Sequence, residues 1–327
     1  MILEARELRK HFRVKGGGTV HAVDDVSFSV EKGETLGIVG ESGCGKSTTA
    51  RLLMHLIEPD AGAVLLEGRR IGSAQGAMPL REARSRMQMV FQDSFASLNP
   101  RLTNEASIAF GPMVHGVPAS RAIERARSLL DRVGLEPARF GGRYPHELSG
   151  GQRQRVNIAR ALALEPRIVI LDEAVSALDK SVEAQVLNLL LELKSELGLT
   201  YIFISHDLSV VRYMSDRVMV MYLGKIAEIG PVDSIYGRTA HPYTKALLSA
   251  MPSMDPSKRT EAPPLAGDPP SPIDPAPGCR FRTRCGYAEG ACEHTDPPLG
   301  AAGEMHHVAC LMRLPGSGHS KAAAHAG

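Results

Sequence analysis

The stretch Gly40-Glu41-Ser42-Gly43-Cys44-Gly45-Lys46-Ser47 fits the pattern G-x-x-x-x-G-K-[ST] at every position. It follows a short apolar run, Thr35 to Val39, and precedes a segment with helical spacing from Ser47 to Ile57. Glycines let backbone N–H groups turn inward around phosphate oxygens, at the positive end of the following helix. The alternative is a glycine-rich strand-to-helix turn without a ligand. The stretch therefore predicts a nucleoside triphosphate site at a strand-to-helix turn.

The side chains of this loop have separate predicted roles. The Lys46 ammonium would neutralise the β- and γ-phosphates of ATP, and the Ser47 hydroxyl would hold Mg²⁺. Cys44 stands at a variable position of the pattern and is interpreted as neutral, although it is expected to be sensitive to alkylation. The residues predicted to contact the nucleotide here are Gly40, Ser42, Gly43, Cys44, Gly45, Lys46, Ser47 and Thr48.

Two acids follow a second apolar run, Ile168 to Leu171. Asp172, at the end of a buried strand, is predicted to reach the Mg²⁺ ion through water. Glu173, one residue later, is placed to polarise a water that attacks the γ-phosphate. The alternative for this pair is a helix cap.

Other apolar runs, Tyr201 to Ile204 and Val218 to Tyr222, are separated from these by helical patterns, which is typical of an α/β fold with a largely parallel sheet. Val26 to Val30 alternates apolar and polar residues, as in a half-exposed antiparallel strand. Ala122, Ala126, Leu129 and Leu130 share one face of a predicted helix over Ser120 to Arg132, assigned to a helical insertion.

The overall composition excludes several classes of function. The formal net charge is +2, so no charge excess indicates a nucleic-acid partner. No run approaches the roughly 18 apolar residues of a membrane span, and the N-terminal residues are charged, so a cytosolic location is expected.

The chain changes character near residue 250. More than half of the 22 prolines and four of the five cysteines follow that point. So much proline predicts an extended, turn-rich segment without long helices or central strands. Disulfides are not expected in a reducing cytosol, so Cys279, Cys285, Cys292 and Cys310 favour a metal site.

Leu148-Ser149-Gly150-Gly151-Gln152 decides the family. Together with the phosphate loop and the two acids, it resembles the ATP-binding subunit of ABC transporters. The resemblance implies a P-loop NTPase (RecA-like) core with an antiparallel β subdomain and an α-helical subdomain. It also implies that two nucleotide domains sandwich ATP head to tail, so a second ATPase subunit, identical or homologous, must supply the opposite surface. The implied nucleotide contacts of this surface are Ser149, Gly150, Gly151, Gln152 and, in the following loop, Asp179.

The same resemblance assigns three further residues. Gln92 would contact Mg²⁺ and the attacking water, and His206 would contact the γ-phosphate as the switch histidine. A purely structural role is the alternative for His206. Phe12 would stack on adenine, with a core position for Phe12, or its neighbour His11, as alternatives.

The resemblance continues past the nucleotide domain. The segments Phe91–Arg101, His241–Pro252, Gly267–Pro272 and Pro277–Cys285 look like the corresponding parts of oligopeptide/dipeptide importers. This implies an ATPase that energises solute import at the cytoplasmic face of the membrane, with two transmembrane permease subunits and, indirectly, an extracytoplasmic solute-binding protein. Nickel or another small solute, or a soluble non-transport ABC ATPase, remain as alternatives.

The predicted domain organisation follows from this comparison. Residues 1–250 form the nucleotide-binding domain with a helical insertion at about 95–160, residues 251–315 the extension, and residues 316–327 a disordered tail. Members resembling this chain carry an iron–sulfur cluster on such cysteines, which implies [4Fe–4S] on Cys279, Cys285, Cys292 and Cys310, with zinc or free thiols as alternatives.

Overall fold

The computed structural model describes residues 1–72, 74–251 and 270–322. The predicted domain boundary after residue 250 adjoins a stretch outside the described residues. The end of the predicted tail, residues 323–327, also lies outside them. The described chain divides into two compact units. The first unit comprises Met1–Ile2, Glu31–Thr35 and Leu66–Ser205, and the second comprises Leu3–Val30, Leu36–Leu65 and the residues from His206 onward.

The strands are β1 (Leu3–Arg13), β2 (Thr19–Val30), β3 (Thr35–Val39), β4 (Ala61–Leu66), β5 (Arg69–Arg70), β6 (Met87–Val90), β7 (Ile168–Asp172), β8 (Thr200–Ile204), β9 (Arg217–Tyr222), β10 (Lys225–Pro231), β11 (Gly300–Gly303) and β12 (His306–Val308). The helices are α1 (Lys46–Leu53), α2 (Leu80–Arg86), α3 (Asn104–Val114), α4 (Ala119–Arg132), α5 (Pro137–Phe140), α6 (Gly150–Leu162), α7 (Lys180–Leu197), α8 (Leu208–Met214), α9 (Val232–Gly237), α10 (Pro242–Ser249) and α11 (Gly290–His294).

The first unit is built on three parallel strands in the order β6-β7-β8. In this register Val90 lies beside Leu171, and Asp172 lies beside Ile204. Every residue of β7 and β8 is buried, as expected for parallel strands covered on both faces. The carboxyl ends of β6 and β7 therefore lie side by side, and the loops that follow them begin at the same edge.

The helices of the predicted insertion pack on one another in the first unit, with α3, α4 and α6 in mutual contact. Helix α4 buries Ala122, Ala126, Leu129 and Leu130, the face that the sequence pattern predicts. Helix α7 ends at Gly198, whose φ of 61° is the left-handed conformation that glycine favours at this position.

The second unit contains an antiparallel sheet in which β1 lies between β2 and β4. In β2 the side chains of Val26, Phe28 and Val30 are buried and the intervening serines are more exposed. This alternation agrees with the prediction of a half-exposed antiparallel strand.

A second set of strands in the same unit starts from β3, which pairs in parallel with β9. Strands β9, β10, β12 and β11 then follow in antiparallel order. The C-terminal hairpin β11–β12 thus extends the sheet that contains β3, the strand leading into the phosphate loop.

Two local expectations were wrong. The helix predicted through Ile57 ends at Leu53, because His55 has a left-handed backbone with φ of 47°. The extension also contains a central strand, since β12 has β10 on one side and β11 on the other. No proline stands between Pro298 and Pro315, so the hairpin avoids the residue that would interrupt it.

Candidate nucleotide site

The phosphate loop connects β3 to α1 in the second unit. Gly40, Gly43 and Gly45 have φ values of 149°, 77° and 108°, a region that L side chains rarely adopt. A Cβ on Gly40 would lie 2.2 Å from the Met221 carbonyl oxygen, and one on Gly45 would lie 2.2 Å from that of Ala22. No atom lies within 4 Å of the corresponding point on Gly43. Two of the three glycines are therefore fixed by packing, and the third borders open space.

Lys46 is buried and begins α1. Its Nζ donates hydrogen bonds to the carbonyl oxygens of Gly40, at 2.7 Å, and Glu41, at 3.0 Å. The Cys44 Sγ, a weak acceptor, lies 3.8 Å from the same ammonium. An ammonium held in this way keeps one weakly used donor for an anion in the loop.

Cys44 bears on one sequence expectation. Its side chain is 2% exposed, and burial raises the pKa of the thiol, while the neighbouring Lys46 lowers it by a smaller amount. A buried thiol with a raised pKa is a poor nucleophile. The burial of Cys44 therefore argues against sensitivity to alkylation and agrees with the interpretation of this position as neutral.

The remaining loop residues lie closer to solvent. Ser42 and Gly43 are exposed, and Ser47 and Thr48, in the first turn of α1, are half-buried. This places the predicted Mg²⁺ ligand Ser47 at the N-terminal end of the helix, where its hydroxyl and the helix dipole act on the same region.

The two predicted acids lie at the end of β7 in the first unit. Asp172 is buried, and Glu173 is half-buried with a left-handed φ of 49°. The Glu173 N–H donates to the Ile204 carbonyl at 2.9 Å, and its carbonyl accepts from the Ser176 hydroxyl at 3.0 Å. Backbone hydrogen bonds on both sides thus hold a residue in a conformation that costs it conformational energy.

Gln92 and Glu173 are brought together in the same unit. The Gln92 Nε2 donates to the Glu173 Oε2 at 2.9 Å, across the adjacent ends of β6 and β7. The amide therefore restrains the carboxylate through one of its oxygens. The water that the sequence predicts between these two side chains stays a prediction.

Ser149 caps α6. Its hydroxyl accepts from the Gln152 N–H at 3.3 Å, and the Gln152 Oε1 accepts from the Ser149 N–H at 3.0 Å, a capping box. A Cβ on Gly151 would lie 2.4 Å from Val182 Cγ1, so α7 requires a glycine there. Ser149 itself is exposed, so the start of α6 is open to solvent.

Asp179 caps α7 in a similar way. Its carboxylate accepts from the Val182 N–H at 2.9 Å and from the Ser181 hydroxyl at 2.8 Å. The hydrogen bond from Val182 lowers the pKa of Asp179. The structure thus shows a capping role for Asp179, beside the contact with a second subunit that the sequence predicts.

His206 and Phe12 belong to the second unit and are both exposed. His206 precedes α8, whose cap Asp207 accepts from the Ser209 N–H at 2.9 Å. The Phe12 ring is 42% exposed on β1, which argues against a core role and leaves the ring surface accessible. The alternative residue, His11, stacks on His21 at 3.9 Å and lies 3.3 Å from Asp24 Oδ1.

The four late cysteines are free thiols that line a single cavity in the second unit. Burial raises the pKa of Cys279 to about 11 and also raises those of Cys285 and Cys310, and neighbouring cysteines add to each shift. Three possible metal ligands whose ligand atoms lie within 4.8 Å of one another occur in the described part of the chain at His11, His21 and Asp24, and not among the cysteines. Among the described residues, no three of these sulfurs lie within 4.8 Å of one another, although all four line the same cavity.

Sequence reasoning missed two residues that contact the phosphate loop. Arg284, between the first two of these cysteines, and Tyr243, at the start of α10, both bond to Glu41. No spacing rule joins residues so far apart in the chain. Both nevertheless lie in segments that resemble oligopeptide/dipeptide importers, His241–Pro252 and Pro277–Cys285.

Comparison with known families agrees with this geometry. The family described as ABC transporter matches residues 23–176, which include the phosphate loop and both acids. The probable peptide ABC transporter ATP-binding protein y4tS of Sinorhizobium fredii is 50% identical over 96% of this chain and 90% of its own. The chain belongs to the ABC transporter ATP-binding proteins. The predicted family is thereby confirmed.

Further ABC proteins extend the comparison. The family described as oligopeptide/dipeptide transporter, C-terminal region, matches residues 227–292. The oligopeptide transport ATP-binding proteins AppF of Bacillus subtilis and OppF of Haemophilus influenzae are 50% and 47% identical, over 95% and 96% of this chain and 97% and 98% of theirs.

Solved structures of ABC proteins share the fold. CbiO1 from Clostridium perfringens, part of the ABC transporter complex cbiONQ, matches 72% of this chain and 91% of its own at 30% identity, with a TM-score of 0.63. The ATP-binding cassette MJ0796, a dimer bound to ADP and Pi, matches 71% of this chain and 99% of its own at 27% identity, with a TM-score of 0.62. The predicted P-loop ATPase fold is confirmed.

Among the described residues, no helix combines the length and apolar character needed to cross a bilayer.

Proposed function

We propose that this chain is the ATP-hydrolysing subunit that energises the import of oligopeptides or dipeptides through a membrane ABC transporter. The observation that carries the proposal is the presence, in one chain, of a nucleotide loop and a region matching the oligopeptide/dipeptide transporter C-terminal family. Relatives named for peptide or oligopeptide transport share about half of all residues with it over nearly its full length.

In the proposed reaction, the loop binds the phosphates of ATP. The backbone of residues 40–45 surrounds the phosphate oxygens, and Lys46 offers its weakly used donor to them. Ser47 would hold Mg²⁺ with Asp172, through water, and Gln92, and all three offer oxygen donors of the kind this ion takes. The ion would supply positive charge that offsets the charge of the phosphates.

Glu173 acts as the general base. Gln92 holds one carboxylate oxygen at 2.9 Å and so restrains the carboxylate that takes a proton from the attacking water. His206 contacts the γ-phosphate, and Phe12 stacks on adenine with its exposed face. Ser149, Gly150, Gly151 and Gln152 at the start of α6 face the nucleotide of a second ATPase subunit, and Asp179 meets the counterpart loop of that subunit.

The rest of the assembly lies outside this chain. Two transmembrane permeases would form the pore and place this subunit at the cytoplasmic face of the membrane, and an extracytoplasmic solute-binding protein would deliver the peptide.

The proposed domain organisation of this chain is a nucleotide domain over residues 1–250, an extension over 251–315 and a tail from 316. His319 in that tail is buried, and its Nε2 lies 3.0 Å from the Tyr287 carbonyl.

The four cysteines are proposed to hold a [4Fe–4S] cluster. A single zinc ion with bonds of about 2.3 Å would draw four sulfurs to within about 3.8 Å of one another. A four-iron cluster takes one thiolate at each iron, so it would not need three sulfurs within 4.8 Å of one another, and four cysteines around one cavity could hold it. Cys292 and Cys310 are buried and Cys279 and Cys285 are half-buried, so the site is partly shielded from solvent. The cluster would supply redox-sensitive cross-linking of the segment.

The function is tested by uptake of a labelled oligopeptide in cells lacking the chain. The parent chain should restore uptake, and Lys46→Ala should not. Affinity purification from the native membrane should recover two hydrophobic permeases. Restored uptake of nickel instead of peptide would change the cargo, and co-purification of ribosomal proteins would contradict a role in transport.

A further inference from the structure

Glu41, the residue after the first glycine of the phosphate loop, is held by the C-terminal part of the second unit. Its carboxylate accepts two hydrogen bonds from Arg284, at 2.8 Å and 3.1 Å. Its backbone N–H donates to the Tyr243 hydroxyl at 2.9 Å. The two partners lie 243 and 202 residues further along the chain. Three hydrogen bonds therefore join one loop residue to two distant segments.

The same residue is connected to the phosphate-binding lysine. The Glu41 carbonyl accepts from Lys46 Nζ at 3.0 Å and from the Cys44 N–H at 3.2 Å. A shift of Glu41 would move an acceptor that orients the ammonium. The position of Glu41 thus bears directly on where Lys46 points.

Arg284 is suited to fixing that position. Its side chain is 5% exposed, and its guanidinium meets the carboxylate of Glu41 as a two-pronged fork, which sets angle as well as distance. The guanidinium donates both hydrogen bonds to the Glu41 carboxylate, and this contact raises the pKa of Arg284 further above its usual range. The guanidinium therefore stays charged at any physiological pH.

The cysteine segment in turn positions Arg284. Arg284 closes a single 3₁₀ turn, Arg282–Arg284, directly before Cys285, and its N–H donates to the Phe281 carbonyl at 3.0 Å. The Arg282 N–H donates to the Cys279 carbonyl at 3.1 Å, and the Cys279 N–H donates to the Cys292 carbonyl at 2.9 Å, so the turn is also tied to these two cysteines. The cysteines and the loop are thus joined through one turn and one ion pair.

We infer that Arg284 is a positioning residue for the nucleotide: it holds Glu41 in place, so the state of the four-cysteine site sets the affinity of the phosphate loop for ATP. The inference rests on the proposed function of the loop. It adds a regulatory input, in which loss of the group bound by the cysteines frees Arg284 and loosens the loop.

The ion pair is tested with a double-mutant cycle on the full chain, in which the Kd of a fluorescent ATP analogue with Mg²⁺ is measured. Arg284→Met and Glu41→Gln should each weaken binding about tenfold, and the double variant no more than either alone, because both remove the same contact. Arg284→Lys should recover only part of the affinity, since it lacks the fork. Arg313→Met, an exposed arginine shortly after Cys310, is the matched control and should bind as the parent does.

The link to the cysteines is tested by extracting iron from the purified chain with a chelator. Loss of iron should weaken ATP binding by the parent about tenfold and that by Arg284→Met no further. Coupling is reciprocal, so saturating ATP should slow iron loss from the parent and leave the rate for Arg284→Met unchanged. Iron content and thermal unfolding are measured for each variant. If a single variant does not fold, the exchanged pair Glu41→Arg with Arg284→Glu replaces it and should regain ATP affinity.

The outcomes separate the two claims. Parent-like affinity in both Arg284→Met and Glu41→Gln, with binding abolished in Lys46→Ala, overturns the positioning role and leaves the proposed function intact. Parent-like ATP binding by Lys46→Ala overturns the proposed function itself. A chain that contains no iron and binds ATP equally before and after chelator treatment overturns the input from the cysteines.

Discussion

The turns after β3 and β7 both require a left-handed backbone, and they meet that requirement with different residues. After β3 the positive φ values fall on Gly40, Gly43 and Gly45. After β7 a positive φ of 49° falls on Glu173, which carries a Cβ and a long side chain. In the first turn the backbone amides at these three positions are the proposed ligands, so no side chain is needed on the glycines themselves. In the second turn the proposed function needs a carboxylate, and the conformational cost accompanies it.

The largest expected effect comes from the carboxylate. Glu173→Gln keeps the shape and the contact with Gln92 but removes the base, so ATP turnover should fall by about 10²–10⁴-fold while ATP binding persists. Steady-state phosphate release and equilibrium binding measure the two properties separately. Glu165→Gln is the matched control, because Glu165 is an exposed glutamate that also has a positive φ, of 53°. Sustained multiple turnover in the Glu173 variant would show that another group is the base.

The next effect tests the glycine turn. In Gly45→Ala the new Cβ would lie 2.2 Å from a backbone carbonyl, and backbone cannot move aside cheaply. We expect a loss of about 3 kcal/mol in the free energy of unfolding, and loss of ATP binding. Urea denaturation and nucleotide titration measure both. Gly43→Ala has a similar positive φ but meets open space, so it should cost only about 1 kcal/mol. Equal losses in the free energy of unfolding at the two positions would show that the positive φ, and not packing, determines the cost of the alanine.

The smallest effect isolates the cost of the left-handed glutamate. Glu173→Gly should raise the free energy of unfolding by about 0.5 kcal/mol. Relief of the backbone strain stabilises the folded state, and the greater flexibility of glycine in the unfolded chain offsets part of that gain. Turnover should be lost at the same time. Glu165→Gly should show the same gain with turnover retained. A stability loss confined to Glu173→Gly, measured by urea denaturation, would mean that contacts of the glutamate outweigh its strain.

Much of the fold could be predicted from local sequence patterns. The bounds predicted for the strand Thr35–Val39 and the buried face of α4 match the structure, because burial on both faces or on one face leaves a clear periodicity. The end of α1 was missed because it depends on the left-handed backbone of a single residue, His55. The hairpin in the extension was missed because β11 consists only of glycine and alanine, residues that carry no strand signal.

The candidate site likewise contains some residues that sequence motifs predict and others that they do not. The loop, the acids and Ser149 could be found from motifs, because phosphate and metal chemistry require fixed residue types at fixed spacing. The pair of Glu41 and Arg284 could not be found, since its members are separated by 243 residues and neither belongs to a spacing rule. The left-handed conformation of Glu173 was also invisible, because it results from hydrogen bonds to neighbouring segments.

The hairpin on β10 has a practical consequence for shortened versions of the chain. Glu228 on β10 is fully buried, and its Oε1 lies 2.7 Å from His306 Nε2 of β12. A protein cut after residue 250 would lose that partner and would uncover the backbone donors and acceptors along one side of β10. Such an open edge pairs readily with strands of other molecules. The isolated nucleotide domain is therefore a poor candidate for expression, and aggregation of such a fragment would reflect its missing neighbour rather than an unstable core.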